Sequence, residues 1–218
     1  MEQAFEAHGA VLKHRPVGDY DWIVTLLTAE KGKINAFARA ARRPGTRFAG
    51  NVEPLSFGTF ELFPGKSSYT LTGAHIDHFF ESFRTDLENA AYGTFFLELA
   101  DYYARENLEA ADLLNLLFVS LRALENGHVP KRLVRCVFEL RAMMIEGEYP
   151  GADMLNLRIP AARRALAEIE QAATNRLYTF TLSDDACREL EAGVVTLRNR
   201  FLDRRPKSLE LLELYEAE

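Results

Sequence analysis

The fold is decided by residues 22–40, which read WIVTLLTAEKGKINAFARA. Apolar and β-branched residues dominate both ends of this stretch, and Glu30–Gly32 interrupts them with a turn signal. The pattern predicts two strands, Trp22–Thr28 and Lys33–Ala40, joined by a short turn. The rest of the N-terminal region extends this arrangement.

Similar short segments flank the two strands and are separated by turn signals rich in proline and glycine. They predict strands at Ala7–His14, Leu55–Phe63 and Tyr69–Ile76. Five short strands within about seventy residues suit a small closed barrel. A barrel also avoids the exposed edges that an open sheet of five strands would leave.

From Thr85 onward the apolar residues recur every three or four positions, which is typical of helices. Thr85 and Glu88 predict a capping box at the first helix start. Residues 176–182 suit either a short strand or an extended lead-in. The fold class is therefore α+β, with a barrel domain at residues 1–80 and an all-α helical domain at residues 81–218. Later helices are expected at Ala111–Asn126, from Pro130 to about Gly147, and at Ala161–Ala173, Asp184–Leu202 and Ser208–Tyr215.

Composition narrows the class of protein. Of the 218 residues 48% are hydrophobic and 27% are charged, as in a folded globular protein. No apolar run approaches the ~18 residues of a membrane helix, and no secretory leader precedes the barrel, so a cytoplasmic location is expected. Cys136 and Cys187 are too few and too far apart for a four-ligand zinc site.

The motif search gives little support for catalysis. His75, Asp77 and His78 form an H-x-D-H cluster, but on a strand His78 would face away from the other two. Packing is therefore favoured over a metal site. Gly65-Lys66-Ser67 is interpreted as a hairpin turn because the first glycine of a phosphate-binding loop is missing. Nothing assembles a nucleophile, a base and an oxyanion donor, so we expect a protein that is not an enzyme.

One basic run stands out against a net charge of −6. Residues 31–47 hold six basic side chains and no acidic one, and Phe37 and Phe48 are interleaved with them. A positive groove with stacking aromatics is how barrels hold single-stranded nucleic acid, whereas a solvated charged face is the alternative. From the residues alone, both interpretations remain open. The candidate DNA-binding residues are Lys13, Arg15, Lys31, Lys33, Arg39, Arg42, Arg43, Arg47 and Phe48.

Several segments of residues 8–80 together resemble the RecO family of recombination mediators. The resemblance is looser in the helical part, where it includes Phe138–Arg141 and Lys207–Leu209. The N-terminal segments that carry it are Val11–Lys13, Arg15-Pro16, Ile23–Leu26, Gly32–Ile34, Ala36–Arg39, Ala41–Pro44, Arg47–Gly50, Phe60–Leu62 and Tyr69–Thr72.

The resemblance implies an OB-fold barrel and a helical C-terminal domain. It implies binding to single- and double-stranded DNA, annealing of complementary strands and no cofactor. It also implies partnership with RecR and with the C-terminal tail of single-stranded-DNA-binding protein, and indirectly the loading of RecA in association with the nucleoid. Among the basic residues, it carries DNA contact over to Lys33, Arg39, Arg42, Arg43 and Arg47.

The helical domain is expected to hold the partner site. Lys131, Arg132 and Arg135 begin the third helix and would suit an acidic tail with a hydrophobic end, although a solvated helix face is the alternative. Many family members carry a four-cysteine zinc module after this helix. Residues 148–164 contain no cysteine, so no zinc site is carried over.

Two rival functions remain open at this point. The chain could be a protein–protein adaptor whose barrel binds no nucleic acid, or a metal-dependent hydrolase using His75, Asp77 and His78. A second basic cluster could contact DNA or simply balance the acidic helices. Its members are Arg198, Arg200, Arg204, Arg205 and Lys207.

Overall fold

A computed structural model describes residues 3–48, 50–66 and 68–216. The five predicted strands are confirmed. The predicted strand Lys33–Ala40 ends two residues early because Ala40 takes a left-handed backbone conformation, with φ of 53°. The strands are β1 Phe5–Val17, β2 Asp21–Thr28, β3 Gly32–Ala38, β4 Ser56–Pro64 and β5 Tyr69–Phe79.

The strands close into a barrel in the order β1-β2-β3-β5-β4, with β4 pairing back onto β1. All neighbours are antiparallel except β3 and β5, where Ala36 pairs with Tyr69 in parallel. The inward side chains, among them Val24, Leu26 and Phe60, are fully buried and form the barrel core. The predicted fold class, an OB-fold barrel followed by helices, is confirmed.

The turn between β4 and β5 is a hairpin as predicted, because Pro64 pairs directly with Tyr69. Ser67 of this turn lies outside the described residues.

Six α-helices follow the barrel in the part of the chain that the structure describes. The predicted helix Ala111–Asn126 is confirmed at both ends, and residues 177–182 form an irregular lead-in and no strand. The helices are α1 Leu87–Tyr103, α2 Ala111–Asn126, α3 Lys131–Ile145, α4 Pro160–Gln171, α5 Asp184–Phe201 and α6 Ser208–Glu216. Short 3₁₀ turns lie at Glu81–Arg84, Ala152–Leu155 and Thr174–Arg176.

The predicted capping box at the start of α1 is wrong. The carboxylate of Asp86 accepts the Asn89 backbone N–H at 2.9 Å, so Asp86 caps the helix. The Thr85 hydroxyl instead donates to the Ser82 carbonyl, and the Glu88 carboxylate accepts from Lys131. Sequence spacing alone cannot choose between adjacent Thr and Asp residues as the cap.

The chain forms two compact units. The barrel unit contains the residues up to Glu81 together with Leu97–Leu114, and the helical unit contains Ser82–Phe96 and the chain from Asn115 onward. The segment after α1 belongs to the barrel unit because the Lys33 N–H donates to the Arg105 carbonyl at 2.9 Å. The division at residues 80 and 81 stays a prediction.

Gly32 shows how closely that segment approaches the barrel. A Cβ atom at this position would lie 2.2 Å from the Arg105 carbonyl oxygen and 2.3 Å from that of Leu108. Its φ of +63° also favours glycine. The residue is required both by the β2–β3 turn and by the backbone packed against it.

The helical unit has its own core, in which the rings of Phe96 and Phe138 stack at 4.1 Å between centroids. Leu140, Val194 and Leu197 of this unit are also fully buried. Within the described residues, every helix is too short or too polar to span a bilayer.

Candidate nucleic-acid interface

The β1–β2 turn and the loop after β3 meet at one end of the barrel. The Arg42 N–H donates to the Tyr20 carbonyl at 2.9 Å, and the Ala40 N–H donates to the Asp21 carboxylate at 2.6 Å. The register of β2 on β3 pairs Trp22 with Ala38, which brings the two connections together. The basic loop is therefore anchored on the turn.

Two arginines of this loop lie on aromatic rings of β2 and the turn before it. The Arg42 guanidinium carbon is 5.4 Å from the centre of the Trp22 ring, and that of Arg43 is 4.5 Å from the Tyr20 ring. His14 stacks on Trp22 at 4.0 Å between ring centroids. Contact with a ring face orients a guanidinium and leaves its N–H groups able to bind phosphate.

We use the name arginine surface for the exposed arginines of this loop together with Arg15 near the end of β1. Within residues 3–48, 50–66 and 68–216, none of them pairs with a carboxylate; Arg42 also reaches the Gly18 carbonyl at 3.4 Å. Positive charge without a counter-charge produces a local field favourable to a polyanion, although the chain as a whole is negative. The residues of the arginine surface are Arg15, Arg39, Arg42, Arg43 and Arg47.

The two lysines on the outer side of the barrel have a different environment. Lys13 donates to the Asp101 carboxylate at 2.5 Å, and the Lys33 ammonium lies 3.2 Å from its other oxygen. Burial would raise the pKa of Asp101, but the hydrogen bond from Lys13 and the charge of Lys33 outweigh it and lower that pKa. Lys13 and Lys33 thus share the charge of one carboxylate of the chain itself.

The remaining predicted DNA-binding residues, Lys31 and Phe48, differ in position and in exposure from the arginine surface. Lys31 lies at the β2–β3 turn, the opposite end of β2, with its ammonium 5.1 Å from the Phe5 ring centre. Phe48 is only 2% exposed and belongs to the barrel core, with Arg47 over its ring. Stacking of a base on Phe48 would require the ring to leave the core.

Sequence reasoning missed the aromatic residues that support the loop. Tyr20 is 49% exposed, and Trp22 and His14 are half-buried. Their only signal in the sequence is aromatic character near a turn, because the arginines that contact them are some twenty positions away. An exposed ring beside free guanidinium groups can stack an unpaired base.

In the helical unit the three predicted partner-binding cations all contact acidic or carbonyl oxygens of the chain. Lys131 lies 2.7 Å from Glu88, and Arg132 donates to the backbone carbonyl of Glu216. Arg135 is 2% exposed and donates to the carboxylates of Glu191 and Glu216. Burial acts to lower the pKa of Arg135, but the carboxylates of Glu139 and Glu216 raise it.

A cleft of about 420 Å³ lies beside these residues, and we call it the arginine cleft. Its walls include Arg132, Leu133, Leu182, Tyr215 and Glu216, a mixture of charged and apolar groups.

Two members of the second basic cluster pair with carboxylates of the chain. Arg198 is buried and donates to both carboxylate oxygens of Glu139 at 3.1 Å. Arg205 pairs with Glu213 on the exposed side of α6. At these two positions the chain balances its own acidic residues.

The histidine cluster is spread apart. His75 lies 3.7 Å from Asp77 in an exposed pair, whereas the His78 ring packs on Phe80 at 4.4 Å between centroids. Across the described ranges, no three His, Cys, Asp or Glu side chains converge as metal ligands would.

Comparison with known proteins identifies the family of this chain. The family model "Recombination protein O N terminal" matches residues 1–80, and "Recombination protein O C terminal" matches residues 84–153. The chain belongs to the RecO family. The first of these two matches ends one residue after β5 of this RecO-family barrel.

Its relatives carry the name DNA repair protein RecO. It is 31% identical to that of Alkaliphilus metalliredigens over 145 residues, which is 66% of this chain and 59% of the relative. Identity to that of Symbiobacterium thermophilum is 38% over 148 residues, or 67% and 58% of the two chains. The protein of Clostridium perfringens is 23% identical over 238 residues, covering 95% of this chain and 97% of the relative. In the first two matches the chain spans less than two thirds of the relative's length.

Proposed function

We propose that this protein is a non-catalytic mediator of DNA repair and recombination that acts on cytoplasmic, nucleoid-associated DNA. It binds single- and double-stranded DNA, anneals complementary strands and, with RecR, helps load RecA onto DNA covered by single-stranded-DNA-binding protein. The observation that carries the DNA-binding part is the arginine surface, whose guanidinium groups are exposed and lack carboxylate partners among the described residues. The RecO-family assignment supports the rest.

Annealing follows from electrostatics alone. Arginine side chains neutralise phosphates and release the counterions condensed on each strand. When two strands lie on the same cationic surface, their mutual repulsion falls, and base pairing supplies the free energy of annealing. The process requires no nucleotide and no cofactor.

The salt dependence of binding tests this mechanism. If the five members of the arginine surface each contact one phosphate, the logarithm of the single-strand association constant should fall with the logarithm of salt concentration at a slope of about −3.5. A fluorescent oligonucleotide titrated at several salt concentrations measures the slope. A slope near zero would contradict phosphate neutralisation, and no binding even at low salt would favour the adaptor alternative.

Charge reversal locates the surface. The double variant R42E/R43E should weaken oligonucleotide binding at least ten-fold, by about the same factor for every sequence, because phosphate contacts carry no base identity. The matched control is R164E/R176E, which makes the same charge change at exposed positions of the helical unit. Equal losses in the two variants would mean that net charge alone is responsible.

The partner role is assigned to the helical unit. We place the docking of an acidic tail, such as that of single-stranded-DNA-binding protein, at the arginine cleft. R132E should abolish retention of the protein by such a peptide in a pull-down. Unchanged retention would mean that the tail docks at another site.

A further inference from the structure

The end of α6 occupies the arginine cleft in the manner of an acidic ligand. Glu216 contacts three side chains of two helices there: its carboxylate accepts from Arg135 and, at 2.8 Å, from the Tyr92 hydroxyl, and its backbone carbonyl accepts from Arg132. Tyr215 lines the cleft beside it. An acid next to an aromatic ring thus lies where an acidic tail with a hydrophobic end would bind.

The charges around Glu216 are balanced only while it is present. Arg132, Arg135 and Arg198 lie with the carboxylates of Glu139, Glu191 and Glu216 in one linked group. Withdrawal of Glu216 would leave Arg135 one carboxylate short and Arg132 without its carbonyl acceptor. Because uncompensated buried charge is costly, the emptied cleft would favour another anion.

α6 is attached weakly enough for a ligand to displace it. The helix has nine residues, too few to persist in water by itself. Only Leu209 and Leu212 are buried, whereas Leu211 and Leu214 are 48% and 67% exposed. Its polar end therefore contributes a large share of its attachment.

We propose that α6 is an intramolecular ligand of the arginine cleft, which an acidic segment of a partner protein displaces in order to dock. This inference rests on the proposed partner role and adds its regulation. The partner then binds only those molecules in which α6 is released. Its apparent affinity is therefore its intrinsic affinity multiplied by the fraction of such molecules.

The experiment uses the full chain and a fluorescein-labelled acidic peptide with a carboxyl-terminal phenylalanine; a peptide with Asn in place of every Asp is the probe control. Glu216→Gln should bind the acidic peptide about five-fold more tightly than the parent, because it weakens the internal competitor. The matched variant is Glu213→Gln, which makes the same charge change on α6 but removes only the exposed pair with Arg205. Its affinity should stay within two-fold of the parent.

Hydrogen exchange on the unmodified chain provides a second measurement, in case Glu216→Gln fails to fold. Saturating acidic peptide should accelerate exchange of the backbone amides of residues 208–216. Peptide binding that leaves these amides equally protected would overturn the inference.

The possible failures can be told apart. A peptide that binds neither the parent nor any variant overturns both the partner role and the inference. A peptide that binds the parent and is lost in R132E, yet binds Glu216→Gln no more tightly and leaves α6 exchange unchanged, overturns the inference alone.

Discussion

The exposed arginines of the loop after β3 and two buried arginines of the helical unit, Arg135 and Arg198, are the same side chain in opposite settings. Arg42 and Arg43 lie on aromatic rings in solvent with no carboxylate partner among the described residues, whereas Arg135 and Arg198 are buried against carboxylates. A guanidinium on a ring keeps its hydrogen-bond donors free for a ligand. A guanidinium surrounded by carboxylates already donates its hydrogen bonds to neighbouring helices and holds them together.

Position in the fold produces this difference. The loop after β3 follows a strand that ends at the surface, and its arginine side chains are exposed to water, although Phe48 is buried. Arg135 lies on α3 one position before Cys136, which is fully buried, and faces α5 and α6. A charge at that position folds only with its counter-charges in place.

The largest expected effect is on stability, at the buried group. Glu139→Gln should lower the free energy of unfolding by about 3–5 kcal/mol, because Glu139 is fully buried between Arg135 and Arg198. Urea denaturation followed by circular dichroism measures the change. Arg43→Ala, the comparison in the barrel loop, should change it by less than about 0.5 kcal/mol. Similar losses in both variants would remove the distinction between the two regions.

The next effect concerns single-strand preference. Tyr20→Ala should weaken binding of single-stranded DNA about ten-fold, since stacking on an exposed ring is worth ~1–3 kcal/mol per base. Duplex DNA, whose bases are already stacked, should lose far less. Tyr20→Phe is the control and should bind like the parent. Equal losses of affinity for single-stranded and duplex DNA would mean that Tyr20 only supports Arg43 and does not stack on a base.

A smaller effect is expected on the salt dependence of DNA binding, at the ion pairs that Asp101 makes with Lys13 and Lys33. Asp101→Asn removes the negative charge that Lys13 and Lys33 share, so the single-strand salt slope should become steeper by about 0.7 to 1.4. The matched control is Glu109→Gln, an exposed acid of the same unit with no basic partner among the described residues. An unchanged slope would mean that the two lysines do not reach DNA even when released.

The smallest effect is a pH dependence of stability at the same carboxylate. Asp101 has a lowered pKa in the folded chain, so its contribution is present above about pH 4 and is lost as the pH falls through the folded-state pKa. The parent should be more stable than Asp101→Asn by about 1 kcal/mol at pH 7, and this difference should shrink at pH 3. Urea titrations at both pH values measure it. A difference that grows on acidification would contradict the sign.

The local pattern of the sequence determined the barrel, the helices and the basic run. The apolar and β-branched residues of 22–40 with a turn signal between them, and the recurrence of leucines in 111–126, are properties of neighbouring positions, and the corresponding strands and helix are confirmed. Six basic side chains without an acid in residues 31–47 are likewise visible from the sequence. Periodicity and local charge need no knowledge of distant contacts.

Only the tertiary structure decided which basic side chains of the molecule have a carboxylate partner. Asp101 is 88 positions from Lys13, and Glu216 is 81 positions from Arg135, yet each carboxylate forms an ion pair with that cation. The loop at Arg42 and Arg43 instead meets the rings of Trp22 and Tyr20. The field at a charged group depends on what folding places within a few ångströms of it, and that distance is not encoded in any short stretch of chain.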